Sequence, residues 1–171
     1  MYSGPRVFVG PLLPEDCGPM FQWTNDVDLA HMNGPYRPVD WINHSNWFSN
    51  IGKEPSKTVL AIRLLADRRL IGYVQIANIH AVFRSAEIGI AIGAEADRNQ
   101  GYGAEALKLA THFCWQDLNL RRLALMIFGA NERAVRAYAK VGFQHEGLLR
   151  QAAYVDGRYV DITVMGLLRD E

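Results

Sequence analysis

The sequence predicts an α+β protein with a mixed, mostly antiparallel central sheet flanked by helices. Three strand-like runs follow one another between Thr58 and Gly93 with short polar connections, as in an antiparallel meander. Helix-like runs lie before and after a fourth strand, Leu123 to Phe128, and Asp156-Gly157 is typical of a late hairpin. The 171 residues, 49% of them hydrophobic, suit a single domain over 1–171 that buries about 70% of its unfolded surface.

The first part of the chain predicts one short strand and two helices. Val7 to Val9 is the strand, and a helix begins near Pro14. Pro19 lies inside this helix, which is therefore expected to be short or broken. Asp40 is placed to cap the second helix, Trp41 to Ile51.

The meander consists of Thr58 to Leu65, Leu70 to His80 and Ala86 to Gly93. The first two runs are rich in β-branched residues and are joined by Asp67-Arg68-Arg69, so they are expected to form a hairpin. In the third run, period-two alternation separates the small residues and Glu87 on one face from three isoleucines on the other.

The second part of the chain alternates helix and strand before the final hairpin. Apolar residues recur at three- and four-residue spacing from Ala104 to Leu118, which indicates an amphipathic helix. After the strand at 123–128, Asn131 suits the N-cap of another helix and Gly142 its C′ position. Tyr154 to Tyr159 then carries the type I′ turn of the hairpin.

A glycine-containing loop, Arg98-Asn99-Gln100-Gly101-Tyr102-Gly103, joins a strand to a helix. Glycines at this position let backbone N–H groups approach a phosphate at the positive end of the helix. The spacing matches neither the dinucleotide fingerprint nor the P-loop. Between residues 98 and 140, seven Lys and Arg stand against three acidic residues. We therefore predict that this region binds a pyrophosphate.

These residues also carry a family resemblance. The loop matches the Q/R-x-x-G-x-G/A motif of the GNAT superfamily of acyl-CoA-dependent N-acyltransferases. A second signature of that family is matched by Asn131-x-x-Ala134-x-x-Ala137-Tyr138-x-Lys140-x-Gly142-Phe143. The chain most resembles the branch that includes ribosomal-protein N-terminal and sugar-amine acetyltransferases.

The resemblance implies a GNAT-like fold in which strands splay apart after Gly93 to admit the pantetheine arm of acetyl-CoA. It implies that Tyr138 is the general acid for the departing thiolate and that backbone N–H groups along Ile90 to Ile92 meet the thioester carbonyl. The cofactor-binding residues are then Ile90, Ala91, Ile92, Arg98, Asn99, Gln100, Gly101, Tyr102, Gly103, Asn131, Ala137 and Lys140.

Transfer of an acetyl group to an amine also needs a neutral nucleophile. Glu87 is the candidate base, because Gly89, Ala91 and Gly93 on the same face would leave a groove beside its carboxylate. His80, at the end of the preceding strand, is the competing base, and ordered water would suffice for a weakly basic amine.

The predicted acceptor site draws on aromatic residues of the early helices together with His80. The candidate residues are Tyr36, Trp41, Trp47 and His80. Aromatic side chains with scattered hydrogen-bond donors suit a sugar ring, so the leading expectation is an amino sugar, which could be nucleotide-activated. The alternatives are a protein N-terminus as acceptor, or a non-catalytic sensor that binds acyl-CoA.

The amino-acid composition limits the classes of partner that the protein is expected to bind. Eighteen basic residues balance eighteen acidic ones, which disfavours nucleic acid and anionic membranes. Cys17 and Cys114 have no metal-ligand spacing, and no metal is expected. No signal peptide or membrane-spanning run is apparent, so a cytoplasmic enzyme that acts on a small-molecule amine is expected, with a homodimer as its candidate assembly.

Overall fold

The central feature of the protein is one mixed sheet, seen in a computed structural model that describes residues 1–170. In these residues eight strands adopt the order β1-β2-β3-β4-β5-β6-β8-β7, and every neighbouring pair is antiparallel except β5 and β6. The predicted fold class is confirmed. The strands are β1 (Tyr2–Ser3), β2 (Val7–Gly10), β3 (Thr58–Leu64), β4 (Leu70–His80), β5 (Ser85–Ile92), β6 (Arg122–Phe128), β7 (Gln144–Val155) and β8 (Arg158–Leu168).

Helices cover both faces of this sheet. The long helix α4 and the later α5 pack on the face that carries the isoleucines of β5, and Gly103 of α4 sits against Ile90 and Ile92. The early helices lie on the opposite face, where Trp23 of α1 approaches Gly93 so closely that no Cβ would fit there. The α-helices are α1 (Cys17–Thr24), α2 (Val27–Asn33), α3 (Trp41–Asn50), α4 (Tyr102–Gln116) and α5 (Glu132–Ala139).

Side-chain caps begin three of these helices. Asp40 accepts a hydrogen bond from the Asn43 N–H, and Asn131 accepts one from the Ala134 N–H, as the sequence predicted. Asp26 caps α2 in the same way, although the sequence had not indicated this seven-residue helix. The helix α2 is too short to show a clear apolar period in the sequence. The Asp26 side chain stabilises it by accepting a hydrogen bond from an N–H group of its first turn.

The predicted hairpin turn and the predicted short first helix are both present in the structure. Asp156 and Gly157 both have positive φ, as the type I′ turn of the last hairpin requires. Pro19 is the third residue of α1, where the missing N–H costs no intrahelical hydrogen bond, and the helix is short as expected.

A buried ion pair ties the start of α1 to the sheet. The Arg63 guanidinium on β3 donates to both oxygens of Asp16, at 2.8 and 2.7 Å. Asp16 also accepts a hydrogen bond from the Leu13 N–H, and the two charged residues are only 1% and 8% exposed. The early helices are thereby fixed over the sheet face that they cover.

Replacing Asp16 with Asn should destabilise the fold strongly. The change leaves the Arg63 charge buried without its counter-ion, which typically costs about 3 to 5 kcal/mol. Urea denaturation would report the free energy of unfolding. The control is Glu132→Gln, which breaks a solvent-exposed ion pair with Arg136 and should change stability by less than about 0.5 kcal/mol. Equal stability of the two variants would contradict this account of the pair.

Candidate active site

The parallel strands β5 and β6 part soon after they begin. Their pairing covers only Ser85 to Glu87 against Arg122 to Ala124, whereas β5 stays paired to β4 as far as Ile92 and β6 stays paired to β8 as far as Phe128. The strands therefore splay after Glu87, six residues earlier than the resemblance implied. Backbone groups on the free edge of β5 have no partner from β6.

A cleft of about 670 Å³ fills this fork. Because the strands have parted, the cleft reaches both faces of the sheet. Helices α4 and α5 and the glycine loop line it on one side. On the other side, α2 contributes Leu29, Met32 and Asn33, and β4 contributes Tyr73 and Gln75. This volume lies within the range usual for small-molecule and cofactor sites.

The glycine loop presents an uncapped helix end to the cleft. Gly101 is the N-cap residue of α4, with φ +84°, and no side chain caps the helix. The first N–H groups of an α-helix have no carbonyl partner within the helix. Those at the start of α4 are therefore free to bind an anion, supported by the helix dipole.

The loop is held in place by three arginines. Arg98 donates to the carbonyl oxygens of Ile92 and Gly93, at 3.2 and 2.5 Å, so its side chain ties the loop to the end of β5. Arg69 forms a two-pronged ion pair with Asp97, and this hydrogen bonding lowers the pKa of the Asp97 carboxyl. The third, Arg6, donates to the Gln100 carbonyl oxygen.

Most of the predicted cofactor residues lie in the cleft. Gln100 and Tyr102 do not line it: the Gln100 carbonyl oxygen bonds to Arg6, and the Tyr102 ring lies 5.0 Å from the same guanidinium group. Arg133 and Arg136 of α5 also line the cleft and were not singled out from the sequence. The predicted residues that line it are Ile90, Ala91, Ile92, Arg98, Asn99, Gly101, Gly103, Asn131, Ala137 and Lys140.

Tyr138 reaches the cleft from α5. Its ring packs edge-on against Phe143, with ring centroids 5.8 Å apart, and within residues 1–170 its hydroxyl forms no hydrogen bond. Burial raises the pKa of Tyr138 to about 12. The hydroxyl is therefore protonated at neutral pH and can donate to a group in the cleft.

Glu87 stands where β5 and β6 part. It is exposed and faces the cleft on the same side of the sheet as Gly89 and Ala91, as strand alternation predicted. A Cβ built on Gly89 would meet no atom within 4 Å, so there is open space beside the carboxylate. A substrate amine can approach Glu87 there.

Two further side chains on this face, Tyr73 and Gln75, were not indicated by the sequence. In the β4–β5 ladder Tyr73 lies opposite Ala91 and Gln75 opposite Gly89, so both side chains face the cleft beside Glu87. Burial raises the pKa of Tyr73, which keeps its hydroxyl protonated. The register of the β4–β5 hairpin, which pairs Tyr73 and Gln75 with small residues, would have identified them as candidates.

The predicted acceptor residues lie elsewhere. Trp41 and Trp47 surround His44, which is 2% exposed and bonds through Nε2 to the Cys17 carbonyl oxygen at 3.0 Å. This aromatic cluster joins α3 to α1, and neither tryptophan lines the cleft. The structure does not bring the aromatic residues together as a surface in the cleft.

The other two predicted acceptor residues are also outside the cleft. Tyr36 packs edge-on against His31. His80 stacks on Phe83, with ring centroids 4.0 Å apart, and its Nδ1 accepts the Phe83 N–H. That nitrogen is already engaged, which favours Glu87 over His80 as the residue beside a bound amine.

Neither cysteine lines the cleft. Cys114 is fully buried in α4, and burial raises the pKa of its thiol to about 12. Within residues 1–170 no cluster of three or more histidine, cysteine or acidic side chains could hold a metal ion. In the same residues no helix has the length and apolar character that a bilayer span requires.

Comparison with known proteins identifies a family model and several relatives. Residues 6–144 match the model for an acetyltransferase (GNAT) domain. A spermidine N(1)-acetyltransferase of Escherichia coli K12 is 36% identical over 161 residues, covering 93% of this chain and 84% of that protein. The corresponding Vibrio cholerae enzyme is 32% identical over 106 residues, which span 62% of this chain and 61% of that relative.

A solved structure shares the fold over almost the whole chain. It is a spermidine N-acetyltransferase from Vibrio cholerae in complex with CoA and spermine. It superposes with a TM-score of 0.92, covers 98% of both chains and is 22% identical in sequence.

Gly101→Val should abolish CoA binding and leave the fold intact. A β-branched residue is strained at φ +84°, and its Cβ would lie 3.1 Å from Arg6 Nη2, so the loop must change shape. Calorimetry would measure the CoA affinity. Gly157→Val is the matched control, because Gly157 also has positive φ but lies in the distant β7–β8 turn. Unchanged CoA affinity in the folded Gly101 variant would remove the loop from the binding site.

Proposed function

The chain belongs to the GNAT acetyltransferase family, and on that basis we propose that it transfers an acetyl group from acetyl-CoA to the primary amine of a small molecule. The observation that carries this proposal is the fork between β5 and β6. It joins an anion-binding helix end, a protonated Tyr138 and the carboxylate of Glu87 in one cleft. The activities named for the relatives support the same reaction class.

The residues around the fork fit an acyl-CoA. The free N–H groups at the start of α4 suit its pyrophosphate, and Arg133 on α5 and Lys140 at the C-cap of α5 add positive charge on the same side. The unpaired edge of β5 at Ile90 to Ile92 supplies backbone donors beside the apolar side chains of β6. When bound, acetyl-CoA supplies an activated acetyl thioester.

Glu87 is proposed to accept the proton that the acceptor must lose. Holding a lysine-like amine neutral at pH 7 costs about 4.6 kcal/mol, whereas a weakly basic amine costs only about 1 kcal/mol. The nitrogen then forms a bond to the acetyl carbon as the carbon–sulfur bond breaks. For a weakly basic acceptor, water in the open space beside Gly89 could replace the carboxylate.

Tyr138 is proposed to donate a proton to the departing thiolate. An ordinary thiol has a pKa near 8.5, so a phenol with a pKa of about 12 would give up its proton unfavourably to a thiolate in water. A thiolate that forms beside Tyr138 is itself poorly solvated, and its pKa rises as well. We therefore expect the proton to move as the carbon–sulfur bond breaks.

For the acceptor we propose only its class, a small molecule with a primary amine. The amino-sugar expectation rested on Trp41 and Trp47, which the structure places outside the cleft. A protein N-terminus is the alternative acceptor, and a peptide α-amine belongs in any test panel. The homodimer also stays a proposal, supported by exposed Leu148 and Leu149 on the edge strand β7.

The proposed function is tested by incubating the protein with acetyl-CoA and a panel of primary amines. Free CoA thiol and the acetylated amine should both appear. Tyr138→Phe should lower kcat by about 10²- to 10⁴-fold with little change in acetyl-CoA affinity, because a general acid acts in the transition state. Tyr154→Phe, a change at an exposed tyrosine outside the cleft, is the control. If wild type binds acetyl-CoA and acetylates no amine, the chain is a sensor rather than an enzyme.

Glu87→Gln keeps the shape of the side chain and removes its basicity. If Glu87 deprotonates the amine, the rate should fall most at pH values below the acceptor's pKa and recover in part above it. A pH–rate profile of the variant beside wild type and exposed Glu15→Gln measures this. A loss of equal size at every pH would mean that Glu87 only positions the acceptor.

A further inference from the structure

One wall of the cleft is built from the β4–β5 hairpin. Tyr73 and Gln75 point from β4 to the same side as Glu87, and the residues opposite them on β5 are Ala91 and Gly89. Large polar side chains on one strand thus face small ones on the other. The result is a shallow groove along the hairpin, open beside Gly89.

The polar groups of this groove are available to a ligand. Within residues 1–170 neither the Tyr73 hydroxyl nor the Gln75 amide forms a hydrogen bond. Asn33 of α2 also faces the cleft, and its amide nitrogen donates to the Leu29 carbonyl oxygen, which leaves Oδ1 free to accept. Partly buried polar groups are stabilised when they form hydrogen bonds. A bound ligand with hydroxyl or amide groups can form these hydrogen bonds.

The charges around the cleft restrict the ligand further. Of the lining residues in the described part of the chain, only Glu87 and Asp97 are acidic. Asp97 is already paired with Arg69, at 2.7 and 2.8 Å. One carboxylate therefore remains for a cationic substrate, and the other ionisable lining groups include Arg133, Arg136 and Lys140.

A second ammonium group in this cleft would have no counter-ion. A partly buried charge without a partner carries a desolvation cost, and nearby basic side chains add repulsion. Met32, Met126 and Phe128, which also line the cleft, are apolar and offer no counter-charge.

We propose that Tyr73, Gln75 and Glu87 form the acceptor subsite and select amines with a single positive charge and neutral hydrogen-bonding groups. This inference rests on the proposed acetyl transfer and adds the substrate class. Glu87 receives the amine, and Tyr73 and Gln75 bind neutral groups farther along the acceptor. The cleft of this chain thus disfavours polyamines, the acceptors named for its relatives.

A matched set of amines tests the proposal. The probes are 4-amino-1-butanol, 1,4-diaminobutane and spermidine, which carry one, two and three positive charges. The wild-type kcat/KM should be at least about tenfold higher for the aminoalcohol than for the diamine, and lowest for spermidine. A tenfold preference corresponds to about 1.4 kcal/mol.

Two variants separate charge from hydrogen bonding. Gln75→Glu adds a carboxylate to the groove and should shift the preference toward the diamine by about tenfold or more. Its control is Asn78→Asp, which adds the same charge on β4 at an exposed position outside the cleft. Tyr73→Phe should raise the KM for the aminoalcohol and leave the KM for acetyl-CoA unchanged.

Binding measurements keep the inference separate from the proposed function. Calorimetry with CoA-saturated protein reports the affinity for each probe even if no acetyl group is transferred. Tighter binding of the aminoalcohol without turnover would uphold the subsite and reject the enzyme. Preference of wild type for spermidine or the diamine, in binding or in kcat/KM, would overturn the inference. An equal response of the Gln75 and Asn78 variants would also overturn it.

Discussion

The site depends on the short parallel ladder between β5 and β6. Each strand keeps its other neighbour along its whole length, so the sheet divides into two halves that meet only at Ser85 to Glu87. The division leaves a row of backbone groups on β5 without a strand partner. A buried backbone group without a partner typically costs about 1 to 3 kcal/mol, and the fork is tolerated because water or a ligand can reach it.

The fork also explains how residues from opposite faces of one sheet can act on one molecule. Tyr138 belongs to the α4–α5 side, and Glu87 to the side covered by α2. In a continuous sheet a layer of backbone would separate them. Because the strands part, a donor bound on the first side and an acceptor on the second can meet in the gap.

The anchors of the glycine loop bond to the protein itself. Arg98, which lines the cleft, and Arg69 and Arg6, which lie outside it, hold the loop through carbonyl oxygens and Asp97, so the helix end keeps its orientation. Glu105, in the first turn of α4, accepts the N–H groups of Arg6 and Val7 and so ties the helix to β2. Burial alone would raise the pKa of Glu105, but these donors lower it.

Local chemistry made much of the fold predictable. The Asn131 cap, the Asp156-Gly157 turn and the alternation around Glu87 depend on residues close in sequence, and all three are present in the structure. The position of the fork depends on where two strands distant in sequence stop pairing. For the same reason, the approach of Tyr73 and Gln75 to Glu87 required the hairpin register.

The aromatic residues show a different limit of sequence reasoning. Trp41 and Trp47 are residues of the type that forms a sugar-binding surface. The same side chains also suit packing around a buried histidine. Only the position of α3 relative to the cleft distinguishes the two roles. That position is set in part by the bond between His44 and the Cys17 carbonyl oxygen, which no local pattern reveals.

Hydrogen exchange with and without CoA tests the central claim most directly, because it reads the unpaired backbone groups themselves. If CoA binds in the fork, those amides of 88–92 that do not donate to β4, and the amides of 102–104, should exchange more slowly on its addition. The amides of the β7–β8 turn at 155–158 should be unaffected. Protection confined to other parts of the chain, with the fork unchanged, would contradict the account.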